Sequence, residues 1–439
     1  MTKTIVKKKA VKVEKPKKVK DSKKPKKEAI IVKPKVKTKI DPKLIPEINI
    51  GTLGHVDHGK STLVEAIAGK WPASHSEELK RGITIRLGYA DATIYRCEKC
   101  NGLMTADKCM KCMAGCDPVR TVSFVDSPGH ETLMATVLAG ASLMDGAILI
   151  IAANEPCPQP QTYEHLMTLQ IAKIKKIIIV QTKIDVVSKE EVLKNYQQIK
   201  NFIKGTVAEN APIIPVSSQK KLNIDAVLEA MEEIIPTPAR ETGNPKMLIV
   251  RSFDVNKPGI DVPKLVGGVL GGAIVEGEMK IGDEIEIRPG IRRGNKWVPV
   301  VTKVIGLKKA TYNLDKAGPG GLLGVMTSID PSLSKADSLS GNVIGLKGKL
   351  SETSDKLSMK VNLFKTLIGK TDKILPIKDD EMLMINVGTG RTIGTVTDNK
   401  KGIININLKL PVVSDKGDTV AISRRVSDRW RLIGQGEIQ

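Results

Sequence analysis

Apolar positions in the first half of the chain fall into short runs separated by stretches with helical spacing. Glu47 to Leu53, Thr121 to Val125, Gly146 to Ala153, Lys176 to Val180 and Pro212 to Val216 each read as a strand. The runs at 146–153 and 176–180 are continuously apolar, as expected for parallel strands covered on both faces. Helices supply the cover. Residues 189–206 bring Val192, Leu193, Tyr196, Ile199, Phe202 and Ile203 onto one face, and Ser188 with Glu191 forms an S-x-x-E capping box. This half predicts a doubly wound α/β domain with its ligand at the carboxyl ends of the strands.

After Pro236-Thr-Pro238 the pattern changes to short strands separated by Gly, Pro and Asp turns, with strict alternation across Glu284-Ile-Glu-Ile-Arg288. Two small β-barrels fit this region, with a boundary near Leu346. The expected organisation is a tail at 1–45, an α/β domain at 46–243, and barrels at 244–346 and 347–439. No stretch approaches the roughly 18 apolar residues of a membrane span, and the N-terminus lacks the apolar core of a secretory signal. The chain is therefore expected to be cytoplasmic, without a membrane partner.

Charge alters the picture mainly at one end. The net charge is +22, and residues 1–43 hold eighteen Lys against four acids, leaving only +8 for the rest. With four prolines and no aromatic residue, this segment is expected to be disordered, serving as a solubilising extension or an RNA tether. Aromatic residues make up 3% of the chain, which argues against single-strand binding through stacked bases as the main mode of recognition.

The strand ending at Leu53 runs into Gly54-His-Val-Asp-His-Gly59-Lys60-Ser61, the GxxxxGK[ST] loop that curls backbone N–H groups around phosphates ahead of a helix N-terminus. Lys60 is placed for the β- and γ-phosphates and Ser61 for magnesium; Asp57, His58, Gly59 and Thr62 complete the expected contacts. A second strand ends in Asp126-Ser-Pro-Gly129-His130. Asp126 is expected to hold Mg2+, Gly129 to sense the γ-phosphate through its N–H, and His130 to orient the attacking water; Thr84 offers a second hydroxyl to the metal. Gln181-Thr182-Lys183-Ile184-Asp185 reads the base, with Asp185 accepting from the two N–H donors of guanine, and Ser217-Ser218-Gln219 closes over it. The usual pattern has Asn where this chain has Thr182, which keeps a hydroxyl but loses the carboxamide. GTP and GDP are the implied ligands.

Five of the six cysteines lie between 97 and 116. Cys97-x2-Cys100-x8-Cys109-x2-Cys112 has the spacing of two thiolate hairpins around a tetrahedral, structural Zn2+. Cys116 is left outside this set. The insert either buttresses the neighbouring switch loop or presents a docking surface.

Taken in order, these features resemble the translational GTPases. Gly54-His-Val-Asp-His-Gly-Lys60, His75-Ser-Glu-Glu-Leu-Lys-Arg-Gly-Ile-Thr84, Leu138-Ala-Gly-Ala-Ser-Leu-Met-Asp-Gly146, Asn154-Glu-Pro-Cys-Pro158 and Val255-Asn-Lys-Pro-Gly259 are similar to the gamma-subunit family of archaeal-type translation initiation factor 2. The resemblance covers residues 46–439 and ends in Ser427-Asp-Arg-Trp-Arg-Leu-Ile433. It implies a heterotrimer with alpha and beta subunits that carries initiator methionyl-tRNA to the small ribosomal subunit and mRNA and leaves after GTP hydrolysis. It further implies that the aminoacylated tRNA end binds near the junction of the α/β domain and the second domain. Alternatives are a Tu-type or selenocysteine-specific elongation factor, or a GTP-gated RNA-binding module with negligible turnover.

Overall fold

The computed structural model describes residues 40–72, 84, 86–365 and 373–439. The Lys-rich segment up to residue 39 and the quoted stretch at 75–83 lie outside the described residues. Asp41 caps a short 3-10 turn at Pro42–Leu44, and the carbonyl of Lys43 accepts a 2.8 Å hydrogen bond from Thr121 Oγ1, so the last residues assigned to the tail are ordered.

Among the described residues the α/β domain is built on seven strands: β1 (Pro46–Gly54), β2 (Gly88–Cys97), β3 (Leu103–Met104), β4 (Cys116–Asp126), β5 (Gly146–Ala152), β6 (Ile177–Thr182) and β7 (Ile213–Pro215). They lie in the order β3-β2-β4-β1-β5-β6-β7. The pairs β4–β1, β1–β5, β5–β6 and β6–β7 are parallel, whereas β2 runs antiparallel to β4 and β3. Every residue of β5 and β6 is buried, which explains their unbroken apolar composition. The helices among the described residues are α1 (Lys60–Ala68), α2 (Met134–Ala141), α3 (Pro160–Ile171), α4 (Lys189–Ile203) and α5 (Ile224–Ile234). Leu63, Ile67 and Met231 of α1 and α5 pack on Ile50, Phe124 and Ile148 on one face. Leu138, Leu166 and Ile199 of α2, α3 and α4 pack on Leu53, Leu149 and Ile179 on the other, giving the doubly wound arrangement.

The capping box at Ser188 is present: Ser188 Oγ accepts from Glu191 N at 3.3 Å and Glu191 Oε2 accepts from Ser188 N at 2.8 Å. The inner face of α4 differs from expectation at one position. Leu193 is 56% exposed, because the buried stripe follows Asn195, Ile199 and Ile203 at steps of four. Asn195 is inside because it accepts from Gln181 Nε2 at 2.8 Å and donates to the Glu155 carbonyl at 2.7 Å.

The second domain comprises β8 (Lys246–Phe253), β9 (Val269–Glu276), β10 (Met279–Lys280), β11 (Glu284–Arg293), β12 (Lys296–Lys309), β13 (Tyr312–Leu314), β14 (Lys316–Ala317), β15 (Leu323–Thr327) and β16 (Val343–Leu346). Strands β11-β16-β8-β9-β15-β12 are hydrogen-bonded in that order, and the β11–β12 pairing closes them into a barrel. The third domain is a closed barrel in the order β17-β20-β19-β18-β21-β22, formed by β17 (Thr353–Leu363), β18 (Met382–Val387), β19 (Gly390–Lys400), β20 (Ile403–Val413), β21 (Thr419–Val426) and β22 (Arg429–Ile438). Closure pairs both edges of the six strands in each barrel, while β13 adds to β12 and β10 pairs with β14 outside the ring; each barrel keeps its own apolar interior, around Ile249 and Val325 in one and Ile385 and Ile422 in the other.

Candidate nucleotide site and junction pocket

β1 delivers the chain to a loop whose shape demands particular residues. Gly54 has φ +148°, and a Cβ there would lie 2.2 Å from the carbonyl oxygen of Ile150. Asp57 and Gly59 both have left-handed backbones, and Gly59 opens directly into α1. The loop is supported from below by a residue that sequence motifs did not single out. His165 of α3 is fully buried, and its Nδ1 accepts from Gly54 N–H at 2.8 Å. Burial holds this ring well below the usual histidine range, so it is neutral with its proton on Nε2. The available signal was a Glu164-His165 pair in a helix otherwise committed to the core.

Lys60 is buried, and its Nζ donates to the His55 carbonyl at 2.7 Å across the loop. Burial lowers its pKa to about 8, opposed by the charges of Asp126 and Asp57. Asp126 is fully buried at the end of β4. Its carboxylate accepts from Ser61 Oγ at 2.6 Å, Thr52 Oγ1 at 2.7 Å and Thr84 Oγ1 at 3.4 Å, while Ser61 and Thr84 stand 3.2 Å apart. Burial pushes the Asp126 carboxyl up, and the Ser61 hydroxyl and the Lys60 charge pull it back. A carboxylate and two hydroxyls converging beside the buried Lys60 form the hard oxygen donor set that Mg2+ takes, so these residues fit the metal.

Gly129 lies against this site: a Cβ would come within 2.5 Å of Lys60 Nζ and 2.8 Å of Val56 N. His130 is exposed, and its Nδ1 is engaged with Thr132 Oγ1 at 2.9 Å, capping a 3-10 turn at Glu131–Leu133. The His58 side chain is turned into the core, with Nδ1 at 3.1 Å from the Ile150 carbonyl and Nε2 at 3.3 Å from Glu155 Oε2. Burial lowers its pKa to about 4, so only its backbone is left for a ligand. Thr62, in the first turn of α1, is half-buried.

At the end of β6, Thr182 Oγ1 donates to the His58 carbonyl at 2.7 Å, Lys183 has a left-handed backbone, and Lys220 reaches Asp185 at 3.8 Å. Ser217 is buried, with its hydroxyl accepting from Lys220 N at 3.3 Å; Ser218 is half-buried and Gln219 exposed. Residues 182–185 and 217–220 thus meet at one edge of the site.

The cysteine knuckle comes together as its spacing predicts. The sulfurs of Cys97, Cys100, Cys109 and Cys112 all lie within 4.8 Å of one another, with Cys97–Cys112 at 3.4 Å and Cys100–Cys109 at 3.5 Å. Four thiolates around zinc at about 2.3 Å span tetrahedral edges of about 3.8 Å, so the set fits that ion. Backbone N–H groups of Lys99 and Cys100 point at Cys97 Sγ, each at 3.4 Å, and help pull that thiol down to about 6. Cys116 stays outside, 3.3 Å from Met104 Sδ, and burial raises its pKa to about 11. Lys111 at the tip pairs with Asp225 of α5 at 2.8 Å.

Between the α/β domain and the first barrel is a cavity of about 860 Å³ whose walls include Tyr89, Arg251, Phe253, Val255, Lys308 and Met326. The Tyr89 hydroxyl is buried there without a hydrogen-bond partner among the described residues. No helix among the described residues is long and apolar enough to cross a membrane.

Residues 46–237 match the model of the elongation factor Tu GTP binding domain, and residues 355–438 match that of the C-terminal domain of initiation factor eIF2 gamma. Translation initiation factor 2 subunit gamma of Methanocaldococcus jannaschii is 55% identical over 400 residues, covering 90% of this chain and 97% of that protein. The same subunit of Pyrococcus horikoshii is 55% identical with the same coverages. Among solved structures, a bacterial selenocysteine-specific elongation factor EF-Sec superposes with a TM-score of 0.70 at 24% identity, over 90% of this chain and 58% of that one. The elongation factor SelB of Methanococcus maripaludis gives a TM-score of 0.67 at 22% identity, over 90% and 79%. These two likenesses speak to the fold, whereas the family models and the initiation-factor relatives set the activity as GTP hydrolysis in translation initiation. With its nucleotide loop, cysteine knuckle and paired barrels in one order, the chain belongs to the gamma-subunit family of translation initiation factor 2, a family of translational GTPases.

Proposed function

We propose that this chain binds GTP at the loop 54–61, assembles with alpha and beta subunits, and carries initiator methionyl-tRNA to the small ribosomal subunit and its mRNA in the cytoplasm. The observation that carries the nucleotide half is the hydrogen-bonded cluster of Ser61, Thr84 and Asp126 beside buried Lys60. Lys60 leaves the His55 carbonyl for the β- and γ-phosphates, to which the loop N–H groups also point. Ser61, Thr84 and Asp126 hold magnesium, which when bound neutralises charge on those phosphates. Gly129 senses the γ-phosphate through its N–H because no side chain keeps it from the loop. His130 orients the attacking water through Nε2, its Nδ1 being occupied by Thr132. Asp185 reads guanine, with Thr182, Lys183 and the 217–219 segment framing the base.

The four-cysteine knuckle holds a structural zinc. The junction cavity receives the aminoacylated end of the tRNA, its apolar walls taking a methionine side chain and its polar groups the ester and amine. The functional division follows the domains 46–243, 244–346 and 347–439, with the Lys-rich residues 1–45 as an appended segment.

Two measurements test this reading. With partner subunits and GTP present, methionylated initiator tRNA should bind in preference to elongator tRNA, and equal binding would refute the assignment. Single-turnover GTP hydrolysis should be stimulated by small ribosomal subunits and lost on His130→Ala; unchanged hydrolysis would remove His130 from its role.

A further inference from the structure

Thr84, Arg86 and Tyr89 each carry a separate attachment. Thr84 joins the Ser61–Asp126 cluster, Arg86 reaches out of the α/β domain, and Tyr89 forms part of the junction cavity. The partner of Arg86 is Asp337 of the first barrel: Nη1 donates to Oδ2 at 2.7 Å. The other oxygen of the same carboxylate accepts from Arg251 Nε and from Ser252 N, each at 3.0 Å. Arg251 lines the cavity together with Tyr89 of the α/β domain. Asp337 therefore stands between a residue two positions from a magnesium-site hydroxyl and a residue in the cavity wall.

We propose that Asp337 is a positioning residue that carries the nucleotide state from the Thr84 segment to the junction cavity, by sharing its carboxylate between Arg86 and Arg251. This rests on the reading of that cavity as the site of the aminoacylated tRNA end. Ala336 and Asp337 both have left-handed backbones, and the carboxylate is further fixed by Ser252 N–H, so it is a preset anchor. Arg86 is 43% exposed, and a pair of that kind adds little to overall stability, which suits a contact made in one nucleotide state and released in the other. With GTP and magnesium engaging Thr84, the segment holds Arg86 on Asp337, and Arg251 keeps its place beside the Tyr89 hydroxyl. When the γ-phosphate leaves, Arg86 is released, the carboxylate draws Arg251 alone, and the cavity wall loses its GTP-state arrangement. A ligand in the cavity stabilises the Arg86 contact in return, as reciprocal coupling requires.

The test uses the full chain assembled with its partner subunits, and reads the ratio of initiator methionyl-tRNA affinity with a non-hydrolysable GTP analogue to that with GDP. Asp337→Asn, which keeps an acceptor for Ser252 and Arg251 but loses the charge, should reduce this ratio by about fivefold or more with the thermal midpoint unchanged, and because the contact belongs to the GTP state the preference for the GTP analogue over GDP should fall with it. Arg86→Gln, on the exposed side of the pair, should give the same loss, and the double variant should lose no more than either alone. Additive losses, or an unaltered ratio in both variants, would overturn the proposal. Phe253→Ala in the cavity wall separates the two levels. If it weakens tRNA binding while Asp337→Asn leaves the ratio intact, only the coupling fails; if it has no effect on tRNA, the cavity reading fails and the coupling with it.

Discussion

Thr182 donates a 2.7 Å hydrogen bond from its hydroxyl to the backbone carbonyl of His58, joining the end of β6 to the Gly54–Ser61 loop. Both residues are buried, so the bond is shielded from water. A residue that departs from the usual Asn thus still performs a tie for which a hydroxyl is sufficient, and in the proposed site guanine recognition falls to Asp185. Thr182→Val keeps the shape but leaves the carbonyl unpaired, at a cost of about 1–3 kcal/mol. GTP, GDP and the corresponding xanthine nucleotides should all weaken by about tenfold in competition binding. Asp185→Asn should instead change the preference among bases, and ATP competing equally with GTP in the unaltered chain would overturn the base assignment.

Lys60 gives the nucleotide-free protein a pH signature. Its folded pKa is lowered to about 8 by burial, below its ordinary value, and a phosphate ligand requires the charged form. GTP affinity should therefore be flat below about pH 7 and fall as pH rises through 8, with binding taking up a proton. Calorimetry in buffers of different ionisation enthalpy measures that uptake, and a pH-independent affinity from 7 to 9 would contradict it.

Removal of metal from the knuckle should loosen residues 97–116 while sparing the nucleotide site, since its ligands all come from this insert. Metal analysis should give about one zinc per chain, and Cys100→Ser should lose it. Hydrogen exchange would then show rapid opening around Cys97–Cys116, with GTP affinity retained. The contact of Lys111 with Asp225 ties the knuckle tip to α5, so exchange at the start of that helix should also rise.

Arg431 of β22 divides its guanidinium between Glu131 at 2.6 Å and Glu164 at 3.2 Å, and Arg429 provides a second cation for Glu131. Glu164 is 1% exposed, and its carboxyl is pushed up by burial and drawn down by Arg431. Arg431→Ala would strand a buried carboxylate, at about 3–5 kcal/mol in denaturant unfolding, and Glu164→Gln in the same chain should recover much of it. The sign with pH follows from a folded pKa raised above the unfolded one. In Arg431→Ala the Glu164 penalty is absent below the ordinary glutamate pKa and grows as pH rises toward the folded value, so the deficit should shrink in acid. A deficit independent of pH would place the loss elsewhere in the interface.

Much of this molecule was legible in the chain itself. The phosphate loop, Asp126 at a strand end, the four-cysteine spacing and the switch to short strands after Pro238 are local patterns, and local patterns encode backbone geometry that few other residues can adopt. The capping box at Ser188 and the buried runs at 146–153 and 176–180 were readable for the same reason. Leu193 was misassigned because one helical stripe leaves neighbouring positions ambiguous until a packing partner selects the inner face. His58 matched a binding motif, yet its ring faces the core.

The remaining features depend on residues far apart in sequence. Thr182 meets His58 across 124 positions, His165 meets Gly54 across 111, Asp337 meets Arg86 across 251, and Arg431 meets Glu131 across 300. No local spacing predicts such pairs, because they require the sheet order and the docking of two barrels to be settled first. The sequence alone determined which chemical groups the chain carries: a glycine-rich GxxxxGK[ST] loop, hydroxyls and a carboxylate that suit magnesium, and four thiols spaced to suit zinc. Tertiary structure decided how that chemistry is supported and connected, because burial and long-range pairing set the charge of Lys60, the tautomer of His165 and the domain contacts through which the nucleotide can be felt elsewhere.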